Sequence, residues 1–226
     1  MLKKTVLTFA FLSVLTTFYG FNARFDAPAE AFDVGIASAM TVDDRSVISI
    51  YDEIFRTVSE REGNDWRLMS AIAYHESRFT PGLTSRRGAR GMMQIMPSVA
   101  RHFDIPAEQV DDLATNIWLA NKLLTEIQSA LRLSAATSEA DRMSIVLASY
   151  NSGIGHVLDA RRLARVNGEN PDSWEVVARY LELKSEPEYY EHEVVTCGRF
   201  TGSSQTLAYV SDVMGRYGKY CRMADR

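Results

Sequence analysis

A mainly α-helical fold is what this sequence predicts, and three observations predict it. From Val42 onward, apolar residues recur at three- and four-residue spacing in one stretch after another, which places them on single faces of helices. The breaks between stretches carry helix-ending residues: Gly63, Pro81-Gly82, Asn167-Gly168 and Pro171. The segment 42–226 is long enough to bury a full hydrophobic core and reads as a single domain, with no internal repeat.

Taken in order, Val47, Ile50, Ile54, Phe55 and Val58 form a stripe that ends before Gly63, a first helix expected to pack behind the second. The second starts at a cap supplied by Asn64 or Asp65, carries Leu68, Ile72 and Glu76 at four-residue intervals, and is ended by Thr80-Pro81-Gly82. Ser98 can cap a short helix. Asp111 or Asp112 can cap a longer one through Asn116, Ile117, Leu119, Ala120, Leu123, Leu124 and Ile127. Ser138 to Ser149 buries Met143, Val146 and Leu147, and Gly153 and Gly155 then permit a tight turn. Helices follow over 154–166 and 172–183. Arg161, Arg162 and Arg165 on the first of these read as a solvated face. A Tyr-rich connector, 187–200, leads to a last helix from Ser203 to about Tyr217.

The first 23 residues have the layout of a secretory signal peptide: Lys3 and Lys4, an uncharged apolar run from Thr5 to Phe18, then small residues near Gly20 and Ala23. The run is short for a membrane span, so no span is expected in the mature form. Residues 24–41 read as a flexible leader. With 25 basic and 29 acidic residues the chain carries net charge −4, and loss of Lys3 and Lys4 deepens this, so nothing points to nucleic acid. Cys197 and Cys221 are the only cysteines, and export to an oxidising compartment predicts a disulfide between them.

Glu76 is the residue whose placement suggests chemistry. It continues an apolar stripe and sits within about a turn of a helix C-terminus, and both surroundings favour a protonated acid. A helix-end glutamate paired with Arg78 or Arg86 fits the spacing equally well. Other chemistries find no support. His75-Glu76 lacks the second histidine of a zinc-protease motif, because Phe79 stands there; His192-Glu193 fails likewise at Thr196. No metal and no cofactor is expected. Asp104, Asp111, Asp112 and Asp159 leave open an enzyme that uses two carboxylates, although none occupies a recognisable motif.

Around Glu76 the sequence reads E-S-R-F-T-P, then S-R-R-G-A-R-G-M-M-Q-I-M-P. This resembles the signature of the soluble lytic transglycosylases, glycoside hydrolase family twenty-three, with Met92 in place of the usual Leu. Downstream, Asn116, Ile117 and Ala120 are similar to an N-I-x-x-A run of the family. Tyr150 and Asn151 resemble its A-Y-N-x-G motif, with Ser149 for Ala. Tyr209 lies in a stretch similar to its E-T-x-x-Y-V element, with Gln205 for Glu.

The resemblance implies a lysozyme-like helical domain, of the goose-type lysozyme and lytic transglycosylase class, acting on peptidoglycan glycan strands. It implies Glu76 as sole acid and then base in cleavage of the β-1,4 bond between N-acetylmuramic acid and N-acetylglucosamine, with closure of a 1,6-anhydro ring. Ser85 and Gln94 become polar sugar contacts. Met96, with Met93, becomes an apolar wall. Tyr150, Asn151 and Tyr209 orient Glu76 or line the subsites, and the arginines 161, 162 and 165 can meet anionic peptide stems. A periplasmic or envelope location follows. The alternatives are a muramidase that hydrolyses the same bond, and a non-catalytic glycan-binding envelope protein.

Overall fold

The computed structural model describes residues 47–224, so the expected signal peptide and leader lie outside the described residues. It is mainly α-helical, as the periodicity predicts. The elements are α1 (Asp52–Arg61), α2 (Trp66–Ser77), α3 (Pro97–His102), a 3-10 turn (Ala107–Gln109), α4 (Leu113–Leu131), α5 (Glu139–Ser152), α6 (Ile154–Val166), α7 (Trp174–Leu183), α8 (Pro187–Tyr190) and α9 (Ser203–Ala224). Two compact units emerge. One comprises 126–210, the other 47–125 with 211–224, and α4 and α9 each contribute residues to both.

In the second unit, α1 packs on α2 as expected. Helix α1 starts later than the stripe predicts. The Asp52 carboxylate accepts from the Ile48 and Ser49 N–H groups, which fixes a turn ahead of the helix and leaves Val47 and Ile50 exposed. Phe55 and Val58 are buried. Asp65 caps α2 by accepting from the Arg67 N–H, and the Tyr217 hydroxyl of α9 donates to the same carboxylate at 2.8 Å. That shared acceptor fastens the end of α9 to the start of α2. Asn64 does other work, donating to the Asn121 and Thr125 side chains of α4. Helix α2 stops at Ser77 because Arg78 turns left-handed (φ 55°), before Pro81 is reached.

Ser98 does not cap α3. Met96 holds the N-cap position and Pro97 the first helical one, where a missing N–H costs nothing. Of the two expected caps for α4, Asp112 does the work, accepting from the Thr115 N–H at 2.8 Å.

In the first unit α5, α6 and α7 pack together. Ser138, read as the first residue of α5, is its N-cap and accepts from the Asp141 N–H. Arg161 corrects the solvated-face expectation: it is fully buried and donates to the carbonyls of Leu131 and Pro171 and to the Asp172 carboxylate. Asp172 is therefore committed to Arg161 and the Ser134 N–H, and α7 starts at Trp174.

Beside it lies a buried ionic cluster. Asp159 and Lys184, both fully buried, pair at 2.6 Å. Asp159 also accepts from Arg162, the Thr196 N–H and hydroxyl, and the Cys197 N–H. Burial favours the neutral form of each partner. In Asp159 it is outweighed by Lys184 and the two N–H groups, which hold the carboxyl below its ordinary value and keep the pair ionic. Lys184 Nζ also lies 3.1 Å from His156 Nδ1. Burial, then the Lys184 charge, pushes His156 down to about 4, so its ring is neutral and accepts the lysine proton. This cluster ties the Tyr-rich connector to α6 and α7.

Both cysteines are free thiols, and the expected disulfide is not formed. Each belongs to a different setting: Cys197 gives its N–H to Asp159 in the first unit, while Cys221 lies on α9 among Arg67 and Tyr217 in the second.

Candidate active site

Glu76 sits on the last turn of α2, half-buried, with Leu68 and Ile72 below it fully in the core. The segment that follows, 79–96, has almost no regular structure, so its shape depends on side chains and on unusual backbone. Thr84, Arg90 and Ile95 form isolated antiparallel bridges that fold it into a double turn. Arg90 fixes its outer edge by pairing with Asp111 and donating to the Ala107 carbonyl at 2.6 Å.

The centre of that loop is held by Asn116, 1% exposed on α4. Its Oδ1 accepts from the Met93 N–H at 2.8 Å, and its Nδ2 donates to the carbonyls of Arg90 and Val110 at 3.0 and 2.9 Å. A side-chain amide thus stands in for the strand partner that the loop lacks. Gly91 makes room for it. Its φ is +75°, and a Cβ added there would lie 2.3 Å from Asn116 Nδ2. Glycine is required at this position by both conformation and space.

Gln94 follows in the left-handed region (φ 49°), and its Nε2 donates to the carbonyls of Gly91 and Leu83 at 2.9 and 3.1 Å. With both amide protons engaged, Oε1 is the atom left to accept from another group. Ser85 closes the other arm: its Oγ accepts from the Ala89 N–H at 2.9 Å, which leaves its own proton to donate. Met96, half-buried, caps α3. Met92 and Met93 are core residues, so Met93 is no apolar wall for a ligand; its burial anchors the loop.

Tyr150, Asn151 and Tyr209 belong to the first unit. Tyr150 and Asn151 lie in the last turn of α5, before Gly153 at φ 88°. Asn151 Oδ1 accepts from the Thr206 hydroxyl at 3.0 Å, which joins this corner to α9, and Tyr209 is buried one turn further along that helix. Thr206 was not singled out by sequence. Gln205, which stands for the family's Glu, is exposed.

The four other carboxylates have structural settings. Asp159 is buried in its ionic cluster, Asp111 pairs with Arg90, Asp112 caps α4, and Asp104 holds a left-handed turn (φ 55°) after α3. Among the described residues, no group of three His, Cys, Asp or Glu side chains could hold a metal ion.

The half-buried acid at the end of α2 and the glycine-dependent loop after it stand in a mainly helical fold of the lytic transglycosylase type. The chain belongs to the Transglycosylase SLT domain family, which it matches over residues 53–172. Membrane-bound lytic murein transglycosylase F of Alcanivorax borkumensis is 32% identical over 196 residues, covering 86% of this chain and 40% of the relative. The protein of the same name from Pseudomonas syringae is 36% identical over 140 residues, covering 62% of this chain and 27% of the relative. The chain thus spans well under half the length of these relatives. Among solved structures, the 70 kDa soluble lytic transglycosylase of Escherichia coli superposes with a TM-score of 0.51 at 23% identity, over 75% of this chain and 24% of that one. An inactive mutant of lytic transglycosylase Slt from Pseudomonas aeruginosa gives a TM-score of 0.52 at 20% identity, over 76% and 24%. These two likenesses are of fold.

Proposed function

We propose that this chain is a lytic transglycosylase of the bacterial envelope that cleaves the β-1,4 bond between N-acetylmuramic acid and N-acetylglucosamine in peptidoglycan. The observation that carries the reading is the placement of Glu76 directly ahead of the pinned loop, inside the segment that matches the family. Glu76 protonates the leaving glycosidic oxygen. It then takes the proton from the C6 hydroxyl of the muramic residue as that oxygen closes on C1. Attack from within the same sugar gains from proximity over attack by water.

The pinned loop supplies neutral groups. Ser85 donates, Gln94 Oε1 accepts, and Met96 offers an apolar surface. On the resemblance of their motifs, Tyr150, Asn151 and Tyr209 are assigned to the sugar subsites. A retaining glycosidase needs a nucleophilic carboxylate about 5 Å from its acid, and an inverting one a more distant carboxylate base. The structural commitments of Asp111, Asp112 and Asp159 disfavour each of them in that role, and this favours ring closure over the muramidase alternative.

Export to the periplasm is part of the proposal, supported by the N-terminal pattern and by the relatives' description as membrane-bound. Among the described residues, no helix is long and apolar enough to cross a membrane. Digestion of purified sacculi followed by mass spectrometry tests the reaction. The expected products end in 1,6-anhydro-N-acetylmuramic acid, are lighter by one water than hydrolysis products, and resist borohydride. Mainly reducible ends at early times refute ring closure.

A further inference from the structure

A cavity of about 330 Å³ opens between the end of α2 and the second half of α9, lined by His75, Arg78, Asp212, Gly215, Arg216 and Lys219. His75 and Arg78 flank Glu76 in sequence, one residue before it and two after. Three of the lining side chains are permanent cations, and only Asp212 opposes them. Burial lowers the pKa of His75 more than Asp212, 3.9 Å away, raises it, and Arg78 and Arg216 push it further down. The cavity therefore holds a net charge of +2 at neutral pH.

Its cations are organised. The guanidinium carbons of Arg216 and Arg78 lie 3.4 and 4.2 Å from the centroid of the Tyr74 ring, so both groups are braced by stacking and not by a carboxylate. Among the described residues, neither these two nor Lys219 forms an ion pair. Stacked guanidiniums keep their N–H edges available for oxyanions, which they bind bidentately. The walls are fixed as well, since Tyr217 ties α9 to the start of α2 at 2.8 Å.

Gly215 is the second observation. It interrupts the interior of a 22-residue helix, where glycine is about 1 kcal/mol worse than alanine. No neighbour explains it: nothing lies within 4 Å of an added Cβ, and its φ is not left-handed. The position is exposed on the wall of the charged groove, and a side chain there would narrow it.

We propose that this cavity is a binding site for the carboxylates of a peptidoglycan peptide stem, holding the substrate by its peptide beside the acid that cuts its glycan. The proposal rests on the function given above and names a specificity element for it. Three cations with one carboxylate complement a stem that carries several carboxylates and one free ammonium; Asp212, 72% exposed, is placed to meet the ammonium. A phosphate-bearing polymer offers the anions without the cation.

The test uses the full chain with Glu76→Gln, so that binding is read without cleavage. The stem N-acetyl-L-alanyl-γ-D-glutamyl-diaminopimelate, the same peptide with its carboxylates amidated, and inorganic phosphate are titrated by calorimetry at constant ionic strength. The expected result is saturable stem binding that weakens at least tenfold in Lys219→Gln, in Gly215→Leu and with the amidated peptide. Gly215→Leu places its side chain in open space on a helix, so its melting temperature stays at or above that of the parent. Stem affinity unchanged in both variants, or phosphate binding as tightly as the stem, overturns the proposal. If anhydro products form while stem binding ignores these substitutions, only this inference fails. If stem binding responds but products carry reducing ends, the cleavage chemistry fails instead.

Discussion

Replacing Gly91 with alanine tests the loop on which the active-site reading depends. An L-residue held at φ +75° costs about 1–2 kcal/mol. The new Cβ would stand 2.3 Å from Asn116 Nδ2, inside contact distance, so the amide has to leave. Its three hydrogen bonds, at roughly 1 kcal/mol net each, add about 3 kcal/mol. The expected loss is about 4–5 kcal/mol, a large part of the stability of an ordinary domain. Asn116→Ala removes the same three bonds, costs about 3 kcal/mol, and clears the space. In the double variant, alanine at 91 then adds only its backbone cost, so the total stays near 4–5 kcal/mol, where independent sites would sum to about 7–8. Urea unfolding of the four proteins measures the coupling, and sacculus digestion in parallel follows the site. A Gly91→Ala protein within 1 kcal/mol of wild type, or a strictly additive double variant, refutes the account of how the loop is held.

Glu76→Gln keeps the shape of the acid and removes its transferable proton: the melting curve should stay close to wild type while sacculus clearing falls by several orders of magnitude, and substantial turnover in a folded variant ends the assignment of Glu76. Asp159→Asn should cost about 3–5 kcal/mol, because it strands Lys184 in the core without a counter-charge; chemical denaturation checks this, and a change below 1 kcal/mol contradicts the buried pair. The pH dependence follows from His156, whose folded pKa of about 4 lies below its ordinary 6.5. Between those values the unfolded chain binds more protons than the folded one, so stability falls as pH drops from about 6.5 to about 4, by roughly 3 kcal/mol, with little further contribution from this residue below that. His156→Gln should flatten that part of the profile. Thiol titration of denatured, unreduced protein should find two free groups, and finding none would restore the disulfide.

The helices were legible because their periodicity is local. Residue type narrowed two caps to the pairs Asn64 or Asp65 and Asp111 or Asp112, of which Asp65 and Asp112 cap, and the bounds of α6 match the sequence reading. The motif around Glu76 was equally plain as a string of letters. What the string could not supply was what each letter touches. Arg161 and Arg162 are the same residue type side by side on one helix, yet one is buried against Asp172 and two carbonyls while the other reaches Asp159 from a partly exposed position. Apart from Arg162, the partners of Asp159 are Lys184, Thr196 and Cys197, at sequence separations of 25 to 38, where no local pattern reaches. Asn116 stood in the sequence as the first letter of an N-I-x-x-A run with no role attached; its job is to complete the hydrogen bonds of a loop 23 residues earlier, and that job explains why Gly91 carries no side chain. Sequence by itself determined the helices and the motif that begins at Glu76, because these depend on neighbours along the chain. Only the tertiary structure decided which charges are buried, which methionines are core, that both thiols are free, and that α9 returns to build a basic cavity beside α2, since each of these depends on groups that meet only when the chain is folded.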